Sequence, residues 1–300
     1  MGAHIQQLGL IGCGLMGGSF ALALKAQGLV GRVVGYSATE RTRQLALQRG
    51  AIDAAATTVA DAVQGSDVVL VAVPVAATQA TLAAIAPHLK PDALVMDVGS
   101  TKADVVQAAQ TAMGDKLSQF VPAHPIAGKA EAGMTAAEAT LYQGCQVIVT
   151  PLPSNPPALV ERATTVWQQL GAQVRHMTPQ EHDAAYACVS HLPHLLAFAA
   201  MNALQNQPQA QEYLSLAGPG FRDFTRIAAS DPTVWRDILL ANREQVLLQA
   251  GLFVQALEQL QAAMQPEQAE QLQALIDKAS RARAGWQLVG QPPAPPADPH

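Results

Sequence analysis

The chain has 300 residues, 49% of them hydrophobic and 14% charged, which is enough apolar side chain to bury two sizeable cores. A net charge of −5 with no run of Lys or Arg argues against a nucleic-acid or anionic-membrane surface and points to small-molecule partners. Three cysteines without metal-ligand spacing, and an N-terminus with no basic start and glycines in its apolar stretch, predict a reducing, cytoplasmic setting, no metal centre and no cleaved leader.

The first predicted strand, Gln7 to Ile11, runs into Gly12-Cys13-Gly14-Leu15-Met16-Gly17 and then a helical stretch from Phe20 to Ala26. Gly-x-Gly-x-x-Gly is weak alone, but between a strand and a helix it predicts a dinucleotide site. Gly12 permits the tight turn, Gly14 the approach of the pyrophosphate and Gly17 the packing of helix on strand, while Leu15 and Met16 bring helix N–H groups to the negative charge. The second strand, Arg32 to Tyr36, is followed by Ser37, where NAD-preferring sites usually place an acid. Ser37 and Thr39 can bond a 2′-phosphate, with Arg41 or Arg43 neutralising it, which tips the reading from NAD toward NADP. The same residues equally suit an ordinary helix start. Val73 and Pro74, ending the strand from Asp67, join the expected cofactor contacts.

A strand from Ala93 to Val98 leads into Gly99-Ser100-Thr101-Lys102 at the carboxyl edge of the sheet. Ser100 can face the nicotinamide or cap the helix starting near Lys102. His124 follows a strand from Phe120 to Ala123 and is stiffened by Pro125; a neutral imidazole there is suited to removing a hydroxyl proton. A lone histidine is more often structural or on the surface. With further strands at Gln146–Thr150 and Gln173–Met177, residues 1–178 are predicted as a parallel sheet covered by helices.

From Pro179 the periodicity is helical: Pro179 to Asn206, Gln211 to Ala217, Phe221 to Ala229, Pro232 to Met264 and Glu267 to Leu288. Asp183, Ala187, Ser190 and His194 form a polar and small stripe on the first, which Pro193 is expected to kink, so it faces a ligand or a wet interface. Phe221, Phe224 and Ile227 are expected to be buried. Arg222 or Arg226 can clamp a carboxylate, unless pairing with Asp223 occupies it. Residues 179–290 are predicted as an all-helical domain and 291–300, with five prolines, as a disordered tail.

Taken in order, five blocks resemble the prephenate/arogenate dehydrogenase family of tyrosine biosynthesis: Gly9 to Ser19, Asp97 to Lys102, His124 to Gly128, Ser190 to His194, and Gly220 to Arg226 with Trp235-Arg236-Asp237. The resemblance implies a Rossmann-type domain followed by an all-helical dimerisation domain, a homodimer, and oxidative decarboxylation of prephenate or arogenate with hydride transfer to NAD or NADP. It implies that His124 accepts the hydroxyl proton, that Ser100 orients hydroxyl, base and nicotinamide, and that Arg226 binds the ring carboxylate. Ser190 and His194 would hold substrate, and Trp235 would reach across the dimer interface. The family's acidic position after His-Pro-Ile-Ala-Gly falls on Ala130, with Glu131 one place later, so that role is not carried over. Two other readings share the plan: a β-hydroxyacid dehydrogenase, disfavoured because no Lys or Arg lies between Pro179 and Gln211, and a dinucleotide-sensing dimer without catalysis.

Overall fold

In the computed structural model, which describes residues 4–129 and 131–287, the β-branched runs become strands and the Ala-rich runs helices. Strands β1 (Ile5–Ile11), β2 (Val30–Tyr36), β3 (Ala54–Ala55), β4 (Val68–Val71) and β5 (Leu94–Asp97) form a parallel sheet in the order β3-β2-β1-β4-β5. Every residue of β4 and β5 is buried, as expected where helices cover both faces of a parallel sheet. Those helices are α1 (Leu15–Ala26), α2 (Glu40–Gln48), α3 (Val59–Val63), α4 (Thr78–Ile85) and α5 (Ala103–Ala112). Strand order reverses between β1 and β4, and the crevice at their carboxyl ends is where open sheets of this kind take ligands.

The remaining strands depart from the wholly parallel expectation. β6 (Ala123–Ile126), β7 (Gln146–Val149) and β8 (Gln173–His176) make a second sheet in which β6 is antiparallel to β7. No α-helix lies between β6 and β7, so the chain returns antiparallel; α6 (Pro157–Gln169) supplies the crossover that makes β7 and β8 parallel. Phe120 contributes only a bridge to Val95, and the strand starts at Ala123, so His124 and Pro125 lie within β6 rather than beyond it. Pro125 is tolerated because β6 is an edge strand of its sheet. Phe20 of α1 packs edge to face against Trp167 of α6, with ring centroids 4.9 Å apart, and locks the two sheets to one core.

After β8 the chain is helical. Thr178 and Glu181 form a reciprocal capping box that starts α7 (Pro179–Tyr186). The expected single helix to Asn206 is instead α7, a widened π turn (Ala187–His191) and α8 (Leu192–Gln205). Pro193 sits in the first turn of α8, directly after the π turn, where a missing N–H is tolerated. α9 (Ala210–Ser215) and α10 (Pro219–Thr225) are short, and Phe224 is 52% exposed where burial was expected. The long run from Pro232 is divided at the inward-turned Asn242 into α11 (Pro232–Ala241) and α12 (Arg243–Ala262); α13 (Ala269–Ala284) closes the described fold. The run Pro179–Gln205 is long and apolar enough to cross a membrane by length and composition, yet it carries the buried His182, Asp183 and His191, each bonded to a polar partner. The proline-rich tail lies outside the described residues.

Candidate active site

The glycine turn is built so that only glycine fits where backbones touch. Gly12 has φ +100°, and a Cβ there would lie 2.1 Å from the Ala72 carbonyl oxygen at the end of β4; one on Gly17 would lie 2.1 Å from the Gly12 oxygen. A Cβ on Gly14 would meet nothing within 4 Å, and α1 starts at Leu15 with no side-chain cap. The helix start beside Gly14, where Leu15 and Met16 are half-buried, thus leaves its first-turn N–H groups without a side-chain cap, which fits a dinucleotide pyrophosphate. Val73 and the exposed Pro74 follow β4 on the same edge.

At the end of β2 the expected phosphate ligands have local partners. Ser37 Oγ accepts the Cys13 N–H at 3.0 Å, and Thr39 Oγ1 accepts the Thr42 N–H at 3.2 Å as the cap of α2. Arg41 is exposed. Arg43 is the cation held at this edge, its guanidinium 5.8 Å over the Tyr36 ring and donating to the Ser37 carbonyl.

On the other side of the crevice, the sheet ends in a buried ion pair that the motifs around Ser100 and His124 do not specify. Asp97 closes β5 and pairs with Lys102, the two side chains being 3% and 0% exposed. Its carboxylate also accepts the Gly99 N–H at 2.8 Å and the Ala123 N–H at 3.0 Å, while Lys102 Nζ donates to the Ala123 carbonyl at 2.9 Å. The pair thus fastens the Ser100 loop to the start of β6 and so places His124. An acid and a base flanking an apolar strand end were the available signal.

Ser100 does not cap α5. That helix is capped from outside by Asp183 of α7, whose Oδ1 and Oδ2 accept the Lys102 and Ala103 N–H groups, both at 2.8 Å. The Ser100 hydroxyl is left half-buried and without a protein partner among the described residues. The polar stripe on α7 therefore begins as a helix cap, not as a wet interface. Beside it, His182 Nδ1 lies 2.7 Å from Asp183 Oδ1, and His182 Nε2 lies 2.8 Å from His124 Nδ1. Tyr186 covers both rings, with centroids 5.2 Å from His124 and 4.5 Å from His182.

Burial pushes the His124 imidazole well below its ordinary pKa, helped by His182 and the Lys102 charge. Burial also lowers His182, outweighing the opposing bond to Asp183. For Asp183 burial acts to raise the pKa, but the bonds from His182, Ala103 and Lys102 outweigh it and hold the carboxyl below its usual range. The site is a carboxylate and two neutral imidazoles in series.

A second group lies on the helical side. The His194 Nδ1–H donates to the Ser190 carbonyl at 2.9 Å, and the His194 ring stacks on Trp235 with centroids 3.5 Å apart and planes 19° apart. Trp235 thus engages a ring of its own chain. Arg222 pairs with Asp223 at 3.0 Å on the surface, whereas Arg226 has no side-chain partner among the described residues and lies near enough for its charge to help lower His194, whose burial is the larger cause. Buried Asn242 donates to the Asp183 carbonyl at 2.8 Å and lies 3.1 Å from His191 Nδ1. α11, which carries Trp235, packs on the turn Val75–Ala77 that follows β4, bringing this group to the cofactor edge.

Residues 20–176 match the family pattern described as prephenate dehydrogenase, nucleotide-binding domain, and residues 178–278 match prephenate dehydrogenase, dimerization domain. The chain is 32% identical over 281 residues to the prephenate dehydrogenase of Bacillus subtilis (strain 168), covering 93% of this chain and 76% of that protein. It is 32% identical over 280 residues to the cyclohexadienyl dehydrogenase of Zymomonas mobilis, covering 93% and 95%. A solved structure of the A. aeolicus prephenate dehydrogenase with hydroxyphenyl propionate and NAD+ superposes with a TM-score of 0.87 at 34% identity, covering 93% of this chain and 97% of that one.

Proposed function

Because this chain belongs to the prephenate dehydrogenase family, we propose that it oxidatively decarboxylates prephenate and/or arogenate to 4-hydroxyphenylpyruvate and/or tyrosine, with His124 as the base. The observation that carries this reading is His124 itself: a neutral imidazole at the carboxyl edge of the sheet, with Nδ1 engaged and Nε2 without a protein partner among the described residues. The nicotinamide dinucleotide, when bound, supplies the hydride acceptor. His124 Nε2 takes the ring-hydroxyl proton, worth about 10²–10⁴-fold in rate, while carbon dioxide departs and the ring becomes aromatic. The free Ser100 hydroxyl orients the substrate hydroxyl, and the unpaired Arg226 binds the ring carboxylate. Ser190 and His194 hold the substrate, with Trp235 keeping the His194 ring in place from within the same protomer.

Domain limits of 1–178 and 179–290 fit the change from strands to helices after His176. For the cofactor, NADP is preferred over NAD in this reading: Tyr36 and Ser37 offer no acid, and Arg43 rather than Arg41 holds a positive charge at the end of β2. A homodimer is the assembly we assign, since α12 exposes Leu248 (56%), Leu252 (52%) and Val254 (50%), more apolar side chain than a lone protomer leaves in water. Three free thiols support a cytoplasmic setting.

Turnover measured with prephenate and arogenate, each with NAD and NADP, tests the reading. Reduction of a dinucleotide on adding either substrate is expected, and His124→Asn should abolish most of it while sparing dinucleotide binding. Dinucleotide binding with no turnover of either substrate overturns it. Arg43→Ala should weaken NADP more than NAD, and Leu252→Glu should shift the sedimentation mass toward one protomer.

A further inference from the structure

We propose that His182 and Asp183 form a positioning pair that dictates which nitrogen of His124 carries its proton, so that Nε2 is the basic atom and Nδ1 is not. The geometry leaves one consistent arrangement of hydrogens. Both oxygens of Asp183 accept backbone N–H groups, from Lys102 and from Ala103, and neither donor can be turned around. An ionised carboxylate has nothing to donate, so the 2.7 Å contact with His182 Nδ1 requires Nδ1–H. A neutral imidazole bears one N–H, which makes His182 Nε2 an acceptor. The 2.8 Å bond to His124 Nδ1 must then be donated by His124. His124 keeps its proton on Nδ1 and holds a lone pair on Nε2.

A doubly protonated His182 would break this chain of reasoning, but it would place a cation in a fully buried position whose other cationic neighbour is Lys102. The pair also arrives by a separate route from the base. His124 is on β6, whereas His182 and Asp183 are on α7, anchored to the start of α5 and to Asn242 at the junction of α11 and α12. The helical half of the chain therefore sets the protonation pattern of a base carried by the sheet half.

The catalytic consequence rests on His124 being the base. As the substrate O–H bond breaks, its proton bonds to Nε2, the hydride leaves for the nicotinamide, and the electron pair of the breaking carbon–carboxylate bond enters the ring. His124 becomes an imidazolium that retains Nδ1–H, donated throughout to His182. Asp183 stays ionised, and its charge, passed through the His182 dipole, stabilises that cation. A wrong tautomer in an analogous carboxylate–histidine arrangement costs about 10⁴-fold in turnover.

The direct test is long-range proton–nitrogen NMR of the full-length protein labelled with ¹⁵N-histidine, which separates an Nδ1–H from an Nε2–H ring. The His124 Nδ1–H form is expected in the native protein, with a shift toward Nε2–H in His182→Leu. That variant should lose about 10²-fold in kcat, with the substrate KM and dinucleotide affinity nearly unchanged. In His182→Gln the amide oxygen can accept the same proton, so both the tautomer and most of kcat should return, and this variant serves if the leucine form does not fold. A native His124 protonated on Nε2, or a His182→Leu protein with unchanged tautomer and kcat, overturns the proposal. A tautomer that behaves as expected alongside full turnover in His124→Asn upholds the pair and overturns the base assignment instead.

Discussion

Replacing Lys102 by Met leaves the Asp97 carboxylate in a site that is 3% exposed without its counter-charge. Removing one partner of a buried pair costs about 3–5 kcal/mol, because the surviving charge stays desolvated. Here two N–H groups, from Gly99 and Ala123, still serve the carboxylate, but the Ala123 carbonyl loses its donor, so the two corrections offset and the same range is expected. At about 2 °C per kcal/mol for a chain of this size, the thermal midpoint should fall by roughly 6–10 °C. Urea unfolding at fixed protein and no added dinucleotide measures the loss directly. The double variant Asp97→Asn, Lys102→Met removes the orphan charge and should be more stable than the sum of the single losses by at least about 1 kcal/mol. A Lys102→Met loss below about 1 kcal/mol, or strict additivity in the double variant, would show that water reaches this site and that the pair does not fasten β5 to β6.

Two glycines of the same turn should respond oppositely. Gly14→Ala should fold normally, since its Cβ meets open space, yet weaken dinucleotide affinity by intruding on the pyrophosphate; calorimetric titration reads this, and unchanged affinity would move the cradle elsewhere. Gly17→Ala drives a Cβ against the Gly12 oxygen and should lower the thermal midpoint before any ligand is added. Acidification provides a third test, because burial pushes His191 from 6.5 down to about 4 and also lowers His124, His182 and His194. The unfolded chain takes up these protons first, so stability is full above about pH 6.5 and is lost as the pH falls toward 4, by about 3 kcal/mol for His191 alone. Denaturant midpoints across that window should fall in the native protein and fall less steeply in His191→Gln, where the other lowered histidines still contribute; a flat native profile contradicts the burial of these rings.

Much of the dinucleotide half was legible because its signals are local. Gly12, Gly14 and Gly17 sit next to the strand and helix they serve, and β4 and β5 are apolar throughout because both faces are covered. The two-residue β3 carries too little pattern to be seen, and the direction of β6 depends on whether a crossover helix follows it, which the residues of the strand do not encode. On the site, Ser100, His124 and His194 could be singled out from motif and spacing, but their partners could not. Asp183 caps a helix 81 residues earlier in the chain, and His182 meets a ring 58 residues away. The stripe read on α7 was real, and its direction was a tertiary fact. The stack of Trp235 on His194 within one chain likewise leaves no trace in the spacing of either residue.

The distribution of buried charge carries the functional argument beyond any single motif. Among the described residues, the buried acidic, basic and imidazole side chains are Asp97, Lys102, His182, Asp183 and His191, and hydrogen bonds join all five to one network around His124. Apolar residues of similar volume would stabilise such positions as well or better, so the network is not explained by stability. What it supplies is placement. It runs from the end of β5 through β6 and α5 to α7 and Asn242, and so crosses from the sheet to the helices at His124, the base proposed above. A misplacement of about 1 Å can cost about 10²-fold in rate, and here it would break the His124–His182 bond while leaving every helix intact. With His124 as the proposed base, the helical half acts on the chemistry through two imidazoles and a carboxylate, and residues as remote as Asn242 belong to the proposed site by what they hold in position.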